Sequence, residues 1–518
     1  TKSLRFRASG STYMSRTPGS AGNRKTLTWS GWVKRGALGS VQILTSCYSA
    51  AADASNMDIG FYADDTLRVV AWTTTYRTTT QVFRGPSAHY HILVVVDTTQ
   101  ATANDRVKLF INGTQVTAFA TTNNPALNAD IGYNQAATTR IGSSSNAVGN
   151  LLDGYLSRIC FVDGQALTPS SFGYQNTEIN EWVTLSRSAC KAVVDAGGTN
   201  SFMLDFEDGT SLTTLGNDYS TKNNDWTLTN HSLTAGVTYD WMEDRPGNSY
   251  AVLNPLDVVG VGSNTLSNAN LQVVTNVATS GAVHGSIGMT SGKWYWEVSP
   301  TAGATQRIGI ENPLNDPRSG YLGGNTSGFA YDIGGNKVNN ASSVAYGNSY
   351  TTSDTISVAY DADSGKLWFA KNGTWQASGD PAAGTNAAYT TATATPYYPA
   401  YSDADNSTSS TATFNFGQRP FTYTPPTGFL ALCQQNLTDE TVTVSGSFTG
   451  NLNAGGPNVW LNGVPKTLTI NGNAVTFGTH ADKTAGGFKL RTASSSYNNT
   501  GSNTYTATID SNRQNCFK

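Results

Sequence analysis

Charged residues are scarce in this chain of 518 residues, because Asp, Glu, Lys and Arg together make up only 13% of it. Soluble proteins usually contain about a quarter. The formal net charge is −3, and no block of like charges is longer than a few residues. Nucleic-acid grooves and membrane-binding patches need clustered Lys and Arg. The composition therefore predicts no nucleic-acid partner and no insertion into a membrane.

Cysteine is also scarce. The five cysteines are Cys47, Cys160, Cys190, Cys433 and Cys516. They lie far apart, are odd in number, and lack the CxxC spacing that zinc or redox chemistry requires. We therefore expect them to be small buried apolar residues without disulfides.

Long apolar runs are missing as well. The longest strongly apolar stretch, from Ile92 to Val96, has the length of a strand and is too short for a membrane-spanning helix. The first residues, Thr1, Lys2 and Ser3, do not show the basic and then apolar pattern of a secretion signal. We expect the chain to be made and folded in a cytosol.

Gly, Ser, Thr and Asn take the place of charged residues. These residues favour turns and solvent-facing strand positions over helix interiors. Disorder is the alternative for such a composition, but 11 Trp, 24 Tyr and 19 Phe supply enough large apolar side chains for packed cores. The length predicts roughly three or four compact units. We therefore predict an all-β fold of serial antiparallel β-sandwiches.

Two segments near the N-terminus show the patterns of strands. From Leu27 to Val33 apolar residues alternate, which predicts a half-buried strand with Leu27 and Trp29 on one face. Between Arg106 and Thr114, a second alternation ends in Asn112-Gly113, the pair that a tight hairpin turn demands. These patterns favour an antiparallel sheet.

The segment Leu152–Phe172 predicts a strand, a turn, and a short capped helical piece starting near Thr168. With the Asn-Gly hairpin and Arg140-Ile-Gly before it, this order resembles the concanavalin A-like, laminin-G-type lectin sandwich over residues 1–185. The closing segment Phe161–Phe172 is similar to one found in structural proteins of tailed bacteriophages. The resemblance implies a jelly-roll sandwich in a virus particle.

Residues 186–255 fit neither a sandwich nor a flexible linker. Their aromatic side chains, Trp226, Tyr239 and Trp241, need burial, whereas flexible linkers are poor in such residues. We expect a connector packed between two sandwiches, with Phe202–Phe206 as a strand that completes the first. A plain extended linker is the alternative.

A second pattern covers residues 256–432. Gly292–Val298 alternates Trp294, Trp296 and Val298 on one face, which predicts a central strand. It is followed by Lys366-Leu-Trp-Phe-Ala-Lys-Asn-Gly, by Tyr397-Tyr-Pro-Ala and by Asn415-Phe-Gly. In this order the segments resemble a SPRY domain, which implies a bent two-sheet sandwich that binds ligands through its loops. Residues 433–518 carry further short strand patterns and predict a small C-terminal β domain, a third sandwich.

The motifs of common enzymes are missing from the sequence. A glycan hydrolase needs two carboxylates about 5–10 Å apart across a groove. The nearest acidic cluster, Asp205–Asp208, lacks the Glu-x-Asp-x-Glu spacing and lies at a predicted strand end. The five histidines form no metal-binding pair, and His89 and His91 are expected to flank a core strand. We therefore expect a protein that is not an enzyme.

Two loops offer oxygen ligands. Asp361 and Asp363 lie in one loop, and Asp403 and Asp405 in the other. Neither has full EF-hand spacing, so a plain turn is the main interpretation and calcium the alternative; no other cofactor is expected. As ligand-binding residues we select Trp375, Tyr401, Asp403 and Asp405, since aromatic rings stack on sugars; a core position is the alternative for the two aromatic residues.

These features together predict a non-catalytic virion protein of a bacteriophage. The first hypothesis is a tail fibre or adhesin that binds a host-surface glycan or receptor. The second is a capsid decoration or head-fibre protein that binds other virion proteins, and the third is a polysaccharide-degrading tail spike. Symmetry of virus particles favours a homo-oligomer, with a trimer the usual state of fibres.

Overall fold

The computed structural model describes residues 2–177, 181–258, 264–275, 281–313, 320–404 and 408–437, and the backbone of further strands between 440 and 509. Strand accounts for 42% of the chain and helix for 8%, and the strands form several antiparallel sheets. The predicted all-β class is confirmed.

The first half of the chain forms a two-sheet sandwich. Its strands and those of the adjoining segment are β1 (Ser3–Phe6), β2 (Tyr13–Arg16), β3 (Thr26–Arg35), β4 (Gln42–Tyr48), β5 (Asn56–Phe61), β6 (Thr66–Ala71), β7 (Thr75–Val82), β8 (Tyr90–Asp97), β9 (Val107–Ile111), β10 (Thr114–Gln115), β11 (Phe119–Thr122), β12 (Thr139–Ile141), β13 (Gly154–Asp163), β14 (Gly173–Asn176), β15 (Glu181–Thr184), β16 (Phe202–Leu204), β17 (Thr227–Thr229) and β18 (Trp241–Met242). Two α-helices, α1 (Arg187–Asp195) and α2 (Leu212–Leu215), accompany them.

The strand order explains where the first core lies. One sheet has the order β10-β9-β8-β3-β13-β1-β18, with β16 also paired to β13, and the other has the order β11-β7-β6-β5-β4-β12-β2-β17. Trp29 and Val94 from the first sheet pack with Ile59 and Val69 from the second in one buried cluster. Because successive side chains of a strand point to opposite faces, these four side chains all point into the space between the sheets. The predicted helical piece after Thr168 is a single 3-10 turn, Pro169–Ser171.

Strand β3 differs from the prediction of a half-buried strand, because both of its faces are buried from Leu27 to Arg35. A second apolar layer covers the outer face of its sheet. In that layer Val95 and Cys160 pack against Cys190 and Val194 of helix α1. On β3 itself, Thr28 donates to the carbonyl of Gln165 at 2.8 Å, and Ser30 hydrogen-bonds to His91 at 2.8 Å. Alternation in the sequence does not show which remote groups cover a strand's polar face.

The segment predicted as a packed connector, residues 186–255, contributes strands to both sandwiches. Strands β16, β17 and β18 pair with β13, β2 and β1 of the first sandwich. Trp226 is buried in the first core, and Trp241 packs against that core while its indole N–H donates to the carbonyl of Phe206 at 2.8 Å. These two tryptophans therefore pack in the first sandwich.

The second sandwich contains β19 (Leu253–Val258), β20 (Thr265–Ser267), β21 (Gln272–Val274), β22 (Val283–Gly285), β23 (Lys293–Ala302), β24 (Gln306–Glu311), β25 (Gly328–Asp332), β26 (Asn336–Asn339), β27 (Ser342–Ala345), β28 (Ile356–Asp361), β29 (Lys366–Lys371), β30 (Thr374–Trp375), β31 (Tyr389–Thr390), β32 (Tyr398–Asp403), β33 (Thr411–Asn415) and β34 (Leu430–Ala431). One sheet has the order β19-β22-β32-β24-β25-β26-β27. The other has the order β20-β21-β33-β23-β28-β29-β30, with β31 paired to β29 and β34 to β23.

Strand β23 lies between β33 and β28, so the predicted central strand is confirmed. Trp294, Tyr295 and Trp296 are all buried. Both faces of this strand carry aromatic rings because one faces the partner sheet and the other is covered by Phe421 and Phe429. The rings stabilise the sheet that positions the loops of this sandwich.

The two sandwiches meet in one compact unit that comprises Thr1–Gly173 and Thr184–Asn436. At the joint, the buried Lys34 ammonium lies 2.6 Å from the Asp244 carboxylate and also donates to the carbonyl of Tyr250. The Asp153 carboxylate of the first sandwich accepts backbone N–H bonds from Asn268 and Ala269 of the second. Removal of one partner from a buried charge pair of this kind is strongly destabilising.

The second compact unit comprises Tyr174–Val183 and Leu437–Lys518. In its C-terminal part the strands are β35 (Glu440–Gly446), β36 (Leu452–Ala454), β37 (Val459–Leu461), β38 (Lys466–Ile470), β39 (Asn473–Phe477), β40 (Lys489–Arg491) and β41 (Asn503–Ile509). They form the sheets β35-β41-β40, β36-β37 and β38-β39, while β14 pairs with β15. The expected third sandwich stays a prediction.

Cys47, Cys160, Cys190 and Cys433 are buried and free, as the sequence predicted, and Cys516 lies outside the described residues. None of the described helices has both the length and the apolar character needed to span a bilayer.

Candidate functional site

An open groove lies where two hairpins of the second sandwich end. The first hairpin joins β26 to β27 through Asn340 and Ala341, both with positive φ, as a tight two-residue turn requires. The second joins β29 to β30 through Asn372 and Gly373, which also have positive φ. Strands β27 and β30 end their respective sheets, so the groove lies between two sheet edges.

The groove has a volume of about 460 Å³ and is open to solvent. Its lining residues come from two segments. One is the end of β27 with the residues after it, and the other is β30 with the residues after it. They are Ala345, Tyr346, Gly347 and Asn348 on one side and Thr374, Trp375, Gln376 and Ala377 on the other. A cavity of this size is at the lower end of the range for small ligand sites.

Gln376 connects the two sides of the groove. Its amide oxygen accepts a hydrogen bond from the backbone N–H of Asn348 at 2.8 Å, and its amide nitrogen donates to the carbonyl of Thr374 at 2.7 Å. The side chain is buried and a Cβ on Gly347 would lie only 2.6 Å from its oxygen. Glycine at position 347 therefore permits the close approach that closes the groove floor.

The continuation of β30 has an unusual backbone. Ala377 and Ser378 both have positive φ, at 50° and 55°. Left-handed backbone is costly for residues with a Cβ and is kept where the surrounding structure enforces it. The groove wall at Ala377 is therefore held in shape by its neighbours.

The chemistry of the groove is that of amides, hydroxyls and aromatic rings. Among its eight described lining residues, none carries a carboxylate, imidazole, thiol or ammonium group. Burial raises the pKa of Tyr346 to about 12, so its phenol stays neutral at physiological pH. Such a surface can stack on a ligand and exchange hydrogen bonds with it.

Trp375 is the residue selected from the sequence that lines this groove. It is half-buried, since it packs against the cluster of Tyr295, Trp368 and Phe429 while bordering the groove. The two interpretations of this tryptophan, a core residue and a ligand contact, therefore both describe part of its side chain.

Tyr401 and Asp403 have a different role from the one expected. Tyr401 belongs to strand β32 and is fully buried, with its ring 6.2 Å from that of Phe414, so the expectation of an exposed stacking residue is wrong. Asp403 is buried at the end of the same strand, where it accepts hydrogen bonds from Thr275 at 3.2 Å and Ser410 at 2.7 Å. It holds neighbouring strands together. Asp405 lies outside the described residues.

Asp361 and Asp363 form a hairpin turn. The Asp361 carboxylate accepts backbone N–H bonds from Asp363 at 3.1 Å and Ser364 at 3.2 Å, and lies 3.3 Å from the Lys293 ammonium. Asp363 accepts from the backbone of Gly292 at 2.9 Å. No three His, Cys, Asp or Glu side chains gather as metal ligands within the described parts of the chain. The geometry favours the turn over the calcium alternative.

A buried charge cluster stabilises the other side of this sandwich. One ring nitrogen of His284 lies 2.9 Å from Asp257 and the other 3.0 Å from Glu311. Burial by itself would lower the pKa of His284, but these two hydrogen bonds raise it to about 9. The imidazolium is therefore charged at neutral pH and bridges strand β22 to β24 and β19.

Sequence reasoning found Trp375 but missed Tyr346, Asn348 and Gln376. The Asn372-Gly373 turn could have indicated Gln376, because residues shortly after a hairpin turn lie at the edge of a sheet. Nothing in the sequence placed the segment after Ala345 beside it, since the two segments are about thirty residues apart. That juxtaposition depends on how the two sheets stack.

Comparison with known proteins supports the assignment of the second sandwich. Residues 293–419 match the SPRY domain family, which supports the resemblance of the second sandwich to a SPRY domain. Strands β23 to β33 lie within the matched range, and so do both hairpins of the groove.

Solved structures with local likeness include stonustoxin, at 18% identity and a TM-score of 0.26, which covers 32% of this chain and 27% of that chain. The SPRY domain of human HERC1 has 18% identity and a TM-score of 0.22, and covers 28% of this chain and 87% of that chain. The SAP-like pentraxin of Limulus polyphemus has 14% identity and a TM-score of 0.25, and covers 38% of this chain and 83% of that chain. No curated protein sequence matches.

Proposed function

We propose that this chain is a non-catalytic binding protein of a bacteriophage particle, a tail fibre or related adhesin that binds a host-surface glycan or receptor. One observation carries the proposal: the open groove between Ala345–Asn348 and Thr374–Ala377, walled by Trp375 and by amide and hydroxyl groups. Binding sites commonly combine an aromatic surface with a few placed polar groups. A groove without acid or base groups suits recognition better than hydrolysis.

The rigidity of the groove supports recognition. Gln376 ties its two sides together, and a hydrogen bond from Lys371 to the carbonyl of Ser349, at 2.8 Å, fixes the next turn of chain. A preformed site loses less conformational entropy when a ligand binds. The two sandwiches are also joined by buried charges, which suits a component that must transmit a fixed orientation.

The placement in a virus particle has its support in the sequence. The segment Phe161–Phe172 is similar to one in tailed-phage structural proteins, and the chain combines serial β modules with few charges. Particle symmetry favours a homo-oligomer, with a trimer expected for a fibre. Synthesis in the bacterial cytoplasm and incorporation into the virion follow from this assignment.

A second candidate is a capsid decoration or head-fibre protein that binds other virion proteins. The observation in its favour is the edge strand Ser342–Ala345, in which every residue is exposed and none is charged or proline. Open strand edges usually carry charge or proline to prevent pairing with other chains. This edge is available for a protein partner.

The test of the adhesin measures saturable binding of fluorescently labelled full-length protein to host cells, with and without periodate oxidation of the cell-surface glycans. The variant Trp375→Ala removes the groove wall, and Leu127→Ala, at a residue 52% exposed in the first sandwich, is the matched control. We expect periodate or Trp375→Ala to reduce binding at least tenfold, and the control variant to bind as the wild type does.

Two outcomes would contradict the adhesin. Folded wild-type protein that coats the heads of fibreless virions and does not bind cells would assign the chain to capsid decoration. A fall in polysaccharide viscosity on addition of the purified protein would show an enzyme. Retained binding by Trp375→Ala, with the variant correctly folded, would move the site away from the groove.

A further inference from the structure

A row of side chains crosses the outer face of the second sheet of the first sandwich, far along the chain from the groove. Tyr48 on β4 pairs in register with Asn56 on β5, and Met57 pairs with Ala71 on β6. Since Met57 and Ala71 point into the core, alternation directs Asn56, which is only 4% exposed, and Trp72, the residue after Ala71, to the opposite face. The row runs from Tyr48 on β4 over Asn56 on β5 to Trp72, just after the end of β6.

Tyr48 and Trp72 form an aromatic pair at this surface. Their ring centroids are 5.6 Å apart and the ring planes are inclined by 45°, which leaves an open angle between two apolar faces. Trp72 is 42% exposed, an unusual fraction for so large a side chain, and Tyr48 is half-buried. Tryptophan is highly buried on average, and tryptophan and tyrosine are enriched at binding interfaces.

The position of Trp72 is fixed by the turn that follows it. The Asp53 carboxylate accepts hydrogen bonds from the backbone N–H and hydroxyl of Thr73, at 2.6 and 3.0 Å, and from the hydroxyl of Thr74 at 2.5 Å. This contact joins the turn after β6 to the turn before β5. The exposed ring is thus held in place by a specific polar anchor.

Polar groups lie beside the two rings. The Asn56 amide donates to the carbonyl of Cys47 and to the Asp58 carboxylate, both at 3.4 Å. Asp58 faces outward two residues along β5, and burial raises its pKa despite hydrogen bonds from Ser46 and Asn56. A partly desolvated carboxylate next to aromatic faces is a strong acceptor for hydroxyl groups.

Arginines near this surface have other roles. Arg24 donates to the carbonyls of Ile131 and Ala54. Arg68 lies 2.6 Å from the Asp64 carboxylate and stacks on Tyr62. Arg140 donates to the carbonyl of Ser144 at 2.7 Å. These arginines are therefore engaged within the protein, and the Asp58 carboxylate lies beside the row. This charge disfavours an acidic ligand.

We propose that Tyr48 and Trp72 form a second binding site, on the first sandwich, for the pyranose ring of a neutral polysaccharide. The apolar face of the sugar lies against Trp72 and Tyr48, and its hydroxyl groups donate to Asp58. The site is separate from the groove at Trp375. This inference rests on the proposed function in one respect, the source of the sugar, which is a bacterial surface polysaccharide.

Ligand-observed NMR with the full chain tests this site. The probes are neutral methyl pyranosides of glucose, galactose, mannose, rhamnose and N-acetylglucosamine, with the sodium salt of glucuronic acid as the acidic comparison. The variants are Trp72→Ala, Tyr48→Ala, Trp72→Phe, which keeps an aromatic face, and Tyr174→Ala, an aromatic control that is 49% exposed elsewhere. Folding of each variant is checked by thermal unfolding.

We expect saturation transfer to at least one neutral sugar, weakened about tenfold or more by Trp72→Ala and Tyr48→Ala. Trp72→Phe should retain most of the signal, and Tyr174→Ala should leave it unchanged. Absence of transfer from every neutral sugar to folded wild-type protein, a preference for glucuronate, or an unchanged signal in Trp72→Ala would overturn the proposal.

The same variants separate this inference from the proposed function. Cell binding that is lost in Trp375→Ala but unchanged in Trp72→Ala, with no sugar signal, contradicts the second site alone. A sugar signal that depends on Trp72, with no binding to host cells, contradicts the adhesin and leaves the sugar site established.

Discussion

The amide oxygen of Gln376 accepts a hydrogen bond from the backbone N–H of Asn348 at 2.8 Å, and this contact joins the edges of two different sheets. Gln376 follows strand β30, whereas Asn348 follows strand β27. The groove has its shape because these two edges are held together at one point. A single substitution at Gln376 therefore tests whether this contact shapes the groove.

Replacement of Gln376 by leucine should loosen the groove and leave the fold intact. The substitution removes the acceptor for Asn348 and the donor for the carbonyl of Thr374, each worth about 1 kcal/mol of stability. We expect a fall of about 1–2 kcal/mol in the free energy of unfolding, measured with urea, and weaker cell binding. Gln81→Leu, at an exposed glutamine, is the control and should change neither quantity.

The cluster around His284 predicts a loss of stability in alkali. The pKa of His284 is about 9 in the folded protein, above its ordinary value of about 6.5. A raised histidine pKa gives stability that is complete below the unfolded pKa, declines as the pH rises from there, and is lost above the folded pKa. We therefore expect a decrease on the order of 3 kcal/mol between pH 6.5 and 9.5.

Urea unfolding across this pH range measures the effect of His284. The variant His284→Gln should be less stable at pH 6.5 and should lack this part of the pH dependence. His231→Gln is the control, because burial lowers the pKa of His231 to about 4, so it does not titrate in this window. Equal pH profiles for His284→Gln and the wild type would contradict the prediction.

The joint between the sandwiches depends on Lys34 and Asp244. Both side chains are fully buried and their charged atoms lie 2.6 Å apart. Lys34→Met leaves the carboxylate buried without its partner, which should cost about 3–5 kcal/mol. The double variant Lys34→Met/Asp244→Leu removes both charges and should recover most of the loss, because an apolar pair of similar size fills the site.

Calorimetric unfolding of the single and double variants checks this prediction about the joint. A double variant as unstable as Lys34→Met would show that the hydrogen bond from Lys34 to the Tyr250 carbonyl, at 2.7 Å, matters more than the charge pair.

Removal of calcium should leave the second sandwich unchanged. The carboxylates of Asp361 and Asp363 already accept backbone hydrogen bonds within their hairpin. We expect the melting temperature of the full chain to stay within about 1 °C on addition of EDTA, since a site-specific ion would stabilise the folded state by mass action. A melting temperature that falls with EDTA and recovers with calcium, but not in Asp363→Ala, would restore the calcium interpretation.

Alternation along the chain was a good guide to the strands and a poor guide to what covers them. The tryptophans of Gly292–Val298 predicted a central strand correctly, because a strand with large apolar residues on both faces must be covered on both. Leu27–Val33 was predicted as half-buried, and the prediction was wrong because other segments cover the polar face: Thr28 donates to the carbonyl of Gln165 at 2.8 Å, and Ser30 hydrogen-bonds to His91 at 2.8 Å. Both partners lie far from the strand in the chain.

The candidate sites show the same limit. Tyr401 was selected as an aromatic residue near a loop, yet strand β32 directs its ring into the core. Trp72 was not selected, although its exposed ring now carries the inference about sugar binding. A single aromatic residue at a strand end points inward or outward according to the register with its neighbours, and sequence alone does not give that register.

The sequence by itself determined the class of fold, the central strand Gly292–Val298 and the scarcity of charge, since each follows from composition, alternation and turn residues that act locally. The tertiary structure decided which edges meet at the groove, which aromatic rings stay exposed, and how the two sandwiches are joined. Those features depend on contacts between segments tens to hundreds of residues apart, such as Asn348 with Gln376 and Lys34 with Asp244. Local sequence preferences do not encode which distant segments pack together.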